Sequence, residues 1–139
     1  MIGGYIVIAL IAVYLLFKLY QNRVVKRGIT NARILRKVMR NEGVALTLID
    51  VREPSEYREG HIPSAVNIPH KSLVKKPPKL RKDSLLVVYC RSGSRAMAAR
   101  SHLRRHGFDR VVNFGGISKW DGELVAGTRP GEIAFETAE

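Results

Sequence analysis

A single cysteine, Cys90, stands directly before Arg91, Ser92, Gly93, Ser94 and Arg95. One thiol followed closely by two guanidinium groups and a glycine is an arrangement suited to nucleophilic chemistry. The thiolate is the reactive form of cysteine, and nearby positive charge favours it. Upstream, Leu85-Leu86-Val87-Val88-Tyr89 is an apolar, partly β-branched run that reads as a buried strand. Downstream, Ala96 to His106 is rich in helix formers, with Ala96, Ala99 and Leu103 on one face and Gly107 as a C-terminal cap. Cys90 is therefore expected on a loop joining a strand end to a helix start. Free N–H groups there favour an anion by about 0.3 to 2 kcal/mol, and inward-pointing amides can form an anion-binding nest. The competing reading of a lone cysteine is a small, inert, buried hydrophobe; the flanking arginines and glycine weigh against it.

The elements that must position this loop follow from the rest of the pattern. Thr30 is expected to cap a helix from about Asn31 to Asn41, ended by Gly43. Ala45 to Val51 reads as a buried strand, and Pro54 introduces a short helix over Ser55 to Glu59. His61 to Pro69 reads as a loop with a brief strand, and Lys75 to Lys82 as a basic, proline-broken connector. Val111 to Phe114 forms a short strand, Gly115-Gly116 a turn, Ile117 to Leu124 a short helix, and the chain from about Thr128 a loosely ordered tail. Strands alternating with helices imply an α/β domain whose largely parallel central sheet is flanked by helices on both faces. Ligands of such sheets bind beyond the carboxyl ends of the strands, where Asp50 and Cys90 both fall.

The amino-terminal region has a different character. Residues 2–17 carry no charge, and only Lys18 interrupts the apolar run before Tyr20. As a helix, residues 2–20 extend about 28 Å, close to the hydrocarbon thickness of a bilayer. No basic stretch precedes this segment and no small-residue cleavage site follows it, so it is expected to be an uncleaved anchor rather than a secretory signal. The organisation expected is a transmembrane helix over 1–20, a basic juxtamembrane tether over 21–28 and the α/β domain over 29–139.

Charge gives an orientation. Lys18 lies near the end of the span and Arg23, Lys26, Arg27, Arg33, Arg36, Lys37 and Arg40 follow it, which places the N-terminus outside and the catalytic domain in the cytoplasm. Residues 1–44 hold a net +7 of the chain's +12, which suits anionic lipid headgroups better than nucleic acid. No base-stacking aromatic pattern accompanies the 75–82 connector. The solitary cysteine fits a reducing compartment. No cofactor is implied. His102 and His106 have the spacing of a metal pair but lack a third ligand, so no metal is expected.

Three stretches in order resemble the single-domain form of the rhodanese family. They are Asp50-Val51-Arg52-Glu53 with Glu56-Tyr57, then Gly60-His61-Ile62-Pro63-Ser64-Ala65-Val66-Asn67-Ile68-Pro69, then Val87 to Arg95, with Gly115-Gly116-Ile117 and Trp120 continuing the likeness. The resemblance covers roughly residues 29–125. It implies a sulfurtransferase that moves a sulfane sulfur from a donor such as thiosulfate to a thiol or cyanide through a persulfide on Cys90. Arg91, Ser92, Gly93, Ser94 and Arg95 would bind the persulfide and an anionic donor, and Asp50 and Arg52 would help to fix the loop's shape or form a purely structural ion pair. Ser64 replaces the family's usual glycine. With no second cysteine in the chain, the acceptor thiol must be external.

Two other readings compete. Phosphatases and arsenate reductases resemble a Cys-x-x-x-x-x-Arg loop, whereas Ala96 occupies that position here and the arginine comes one residue earlier, at Arg95. The other is a membrane-tethered interaction module that keeps the fold without turnover.

Overall fold

The computed structural model describes residues 1–29, 31–41 and 43–131, with only the backbone of residues 21–28. Helix α1 runs over Ile2–Gly28, so the stretch read as a tether continues the helix without a break. Its segment Ile2–Tyr20 is exposed along its whole length and is long and apolar enough to cross a membrane, a property that anchors and signal sequences share.

The domain follows as α2 (Ala32–Met39), β1 (Leu46–Asp50), α3 (Pro54–Glu59), β2 (Val66–Asn67), α4 (His70–Lys75), β3 (Leu85–Cys90), α5 (Ser94–Arg105), β4 (Val111–Gly116) and a 3₁₀ turn over Ile117–Lys119. The four strands are all parallel, in the order β2-β1-β3-β4, so β3 with its terminal cysteine occupies an inner position. Alternation along β3 divides the core. Leu85, Val87 and Tyr89 face α2, Tyr57 and Trp120; Leu86, Val88 and Cys90 face α4 and α5, where Leu73, Ala96, Ala99 and Leu103 meet them. Every residue of β3 is buried, as expected of a strand covered on both faces.

Several boundaries differ from the sequence reading for identifiable reasons. Thr30 lies outside the described residues, and Asn31 is the cap that the structure shows, its Oδ1 accepting the Ile34 amide at 3.0 Å. The helix then stops at Met39, two residues before the expected end at Asn41, and Asn41 Oδ1 takes the Gly43 amide in a separate turn. Helix α4 is absent from the sequence reading because HKSLVK is too short to display a helical period. Gly115 and Gly116 form no turn: a bulge after Val88 brings them into register with Tyr89 and Cys90. The helix expected over 117–124 is only the 3₁₀ turn. Beyond it the chain wraps around Trp120, whose indole N–H donates to the Glu123 carbonyl while Arg36 lies over its ring and pairs with Asp121.

The tail is held further than its composition suggests. The Ser64 amide donates to the Pro130 carbonyl at 2.9 Å, and His61 Nε2 lies 2.8 Å from the Arg129 carbonyl. Residues 132–139 lie outside the described residues. Ser64 has a φ of 73°, the left-handed conformation that favours glycine, so the substitution noted from the sequence falls on a position with a glycine-like backbone.

Candidate active site

Cys90 ends β3, and its Sγ accepts the Gly93 amide at 2.9 Å. An N–H aimed at the sulfur is placed to hold negative charge there. Two glycines make this loop possible. Gly93 has a φ of 99°, and a Cβ on Gly116 would lie 2.6 Å from the Arg91 carbonyl oxygen, so the loop rests directly on the bare backbone of β4. Asn113 fastens the two together: its Nδ2 donates to the Gly93 carbonyl at 3.2 Å while its Oδ1 accepts the Gly115 amide at 2.8 Å. The thiol itself is fully buried beneath the loop.

The loop residues divide in a way that the sequence does not reveal. Arg91, Ser92 and Ser94 are exposed, and the Ser92 and Ser94 hydroxyls lie 3.3 Å apart. Arg95, in the first turn of α5, forks onto Glu56 with bonds of 2.8 and 3.0 Å. Glu56 also accepts the Glu53 amide, closing the capping box of α3. The Arg95 bonds pull the Glu56 carboxyl down to about 2; partial burial opposes the shift, while the Glu53 amide and Arg52 add to it. The same pair raises Arg95, against a smaller opposing effect of burial.

A depressed carboxyl contributes stability above its unfolded value, near 4.5, and loses that contribution as pH falls through about 2. Glu56→Gln keeps an acceptor for the Glu53 amide but removes the ion pair. Urea unfolding at neutral pH should show a loss of about 1 kcal/mol. That difference from wild type should vanish between about pH 4.5 and pH 2.

Asp50 and Arg52 do meet. The Arg52 guanidinium and amide bond both Asp50 carboxylate oxygens at 2.7 to 3.0 Å, and Arg52 Nη2 donates to the Gly60 carbonyl at 2.6 Å. Asp50 is fully buried and Arg52 nearly so. Burial opposes the guanidinium charge, and the bonds and field of Asp50 outweigh that effect, leaving Arg52 raised. Tyr89, paired in register with Asp50, is raised by burial and then by the Asp50 charge. Beyond its bonds to Asp50, the Arg52 side chain donates to the Gly60 carbonyl and not to the cysteine loop. Asp50→Asn leaves a buried guanidinium short of its counter-charge, so denaturant unfolding should show a loss of about 3 kcal/mol.

Sequence reasoning missed two residues here. Glu56 carried a usable signal, the Glu53-x-x-Glu56 capping spacing after Asp50-Val51-Arg52. Asn113 carried none, because its role depends on the bulge that sets β4 against the loop.

Comparison with known proteins bears on the fold and the family. A model of the rhodanese-like domain matches residues 31–123. YqhL of Bacillus subtilis is 40% identical over 80 residues, 57% of this chain and 64% of that protein. A sulfurtransferase of Allochromatium vinosum is 39% identical over 74 residues, 52% of this chain and 69% of that one. Among solved structures, the rhodanese with anions from E. coli aligns with a TM-score of 0.55 at 32% identity, covering 60% of this chain and 100% of that one. The parallel sheet with helices on both faces is thus the rhodanese fold, and the chain belongs to the rhodanese-like sulfurtransferase family.

Proposed function

We propose that the protein transfers a sulfane sulfur in two steps through a persulfide on Cys90, anchored to the membrane by α1. The observation that carries this reading is the Gly93 N–H directed at Cys90 Sγ within a loop held on β4. In the first step the Cys90 thiolate attacks the outer sulfur of a donor such as thiosulfate; its S–S bond breaks and sulfite leaves with the bonding electron pair. Cys90 then carries a persulfide anion. In the second step an acceptor thiolate, or cyanide, attacks that outer sulfur, giving a new persulfide or thiocyanate and restoring the Cys90 thiolate.

The loop's residues serve these steps differently. The Gly93 amide faces the Cys90 sulfur, Ser92 and Ser94 line the cleft beside it, and Arg91 is exposed at the start of the loop. Arg95, held by Glu56, fixes the start of α5 rather than reaching freely toward the donor. Asp50 and Arg52 act as a structural support. Because the thiol is covered, a donor reaches it through motion of the 91–94 segment.

Residues 2–20 would lie in the bilayer with the basic residues after Tyr20 against anionic headgroups and the domain in the cytoplasm. Initial rates with thiosulfate and a thiol varied together test the mechanism. Parallel double-reciprocal lines are expected; intersecting lines would contradict a free persulfide intermediate. Protease added to sealed vesicles of known sidedness tests the topology, with digestion of the domain expected only where the cytoplasmic face is outward.

A further inference from the structure

Beside the cysteine loop lies an open cleft of about 580 Å³, whose lining includes Ser92 and Gly93 of the loop, Met97 and Ala98 of α5, and Gly115 and Lys119. That is room for a small organic molecule and more than a sulfur oxyanion needs. Among the described residues, Lys119 is the one charged residue in the lining. Gly115 leaves room for it: a Cβ there would stand 3.0 Å from Lys119 Nζ and 3.2 Å from its Cε, so the lysine chain lies across bare backbone. Gly115 in turn touches Gly93, whose Cβ position is 3.4 Å from the Gly115 Cα. The ammonium is thus held above the loop, and among the described residues it has no carboxylate within ion-pair distance.

The contrast with Arg95 gives this geometry its meaning. Arg95 is neutralised by Glu56, and Arg91 is not part of the lining. The cation that a molecule in the cleft encounters is therefore Lys119, and the exposed apolar side chain of Met97 belongs to the same lining. We propose that Lys119 is a specificity residue for the second step, selecting acceptor thiols that carry a carboxylate a few bonds from the sulfur. The carboxylate lies on Lys119, the carbon chain crosses Met97 and Ala98, and the thiol points toward the Cys90 loop. This rests on the sulfurtransfer reading above.

The test uses the full-length protein in detergent, loaded with thiosulfate, freed of donor, and then discharged in a single turnover by 3-mercaptopropionate or by its neutral counterpart 2-mercaptoethanol. Intact mass before discharge reports whether the persulfide formed at all. In Lys119→Ala, discharge by 3-mercaptopropionate should slow about fivefold relative to wild type, while discharge by 2-mercaptoethanol stays within a factor of about two. Lys119→Arg should retain the preference, and Lys119→Glu should reverse it. The wild-type preference should also weaken at about 1 M salt. Equal effects of the variants on both thiols, or none on either, would overturn the role of Lys119 while leaving the persulfide mechanism standing. Failure of the wild-type protein to load sulfur would instead overturn the mechanism and this proposal with it.

Discussion

The Cys90→Ser protein should lose thiosulfate-dependent sulfur transfer down to the solution background, a fall of at least about a thousandfold, because no other side chain can replace the sulfur nucleophile. Cys90 is the chain's only cysteine, so no neighbouring thiol can take over. Serine is close in size, and its oxygen can accept the Gly93 amide in place of Sγ, so stability should change by only about 1 kcal/mol. Assaying turnover and urea unfolding on the same preparation separates loss of chemistry from loss of fold. The variant also distinguishes the enzyme from a non-catalytic tethered module: in cells dependent on this protein, an interaction module would tolerate the serine and a sulfurtransferase would not.

The second large effect is expected at Gly116→Ala. Its added methyl would stand 2.6 Å from the Arg91 carbonyl, a contact between backbone and Cβ that no side-chain rotation relieves. The loop must lift from β4, and the Gly93 amide moves away from Cys90 Sγ. A displacement of about 1 Å in a preorganised site costs about a hundredfold in rate, whereas overpacking costs about 1 to 3 kcal/mol in stability. kcat/KM should therefore fall by about a hundredfold in protein that remains folded at the assay temperature, as followed by circular dichroism. Normal activity would mean that contact between the loop and β4 does not set the sulfur's environment.

Much of this arrangement was legible in the residues. The continuous apolar run Leu85 to Tyr89, ending at Cys90 and followed by a helix with Ala96, Ala99 and Leu103 inward, specified the strand-loop-helix unit that the structure shows. Burial of an inner parallel strand on both faces requires such an uninterrupted run, so its signal is strong. Short elements were less readable. In α4, Leu73 is the buried apolar residue, and β2 has only Val66 and Asn67. The electrostatic design of the site was read only in part. Spacing alone put Arg91 and Arg95 on the same footing, but the partner that separates them, Glu56, is distant in sequence from Arg95. Likewise, two glycines that read as a turn became strand because the bulge at Val88/Tyr89 shifts their register. Long-range pairing and register are tertiary facts that a local pattern does not encode.

Capture of sulfur on Cys90 bears most directly on the account. The full-length protein, exposed to thiosulfate and freed of it, should gain the mass of one sulfur atom, located by peptide mapping to the segment containing Cys90. Cyanide should remove that mass with release of one equivalent of thiocyanate, and Cys90→Ser should gain nothing. A wild-type protein whose mass is unchanged across the sulfane donors tried, or equal sulfur uptake by Cys90→Ser, would contradict it.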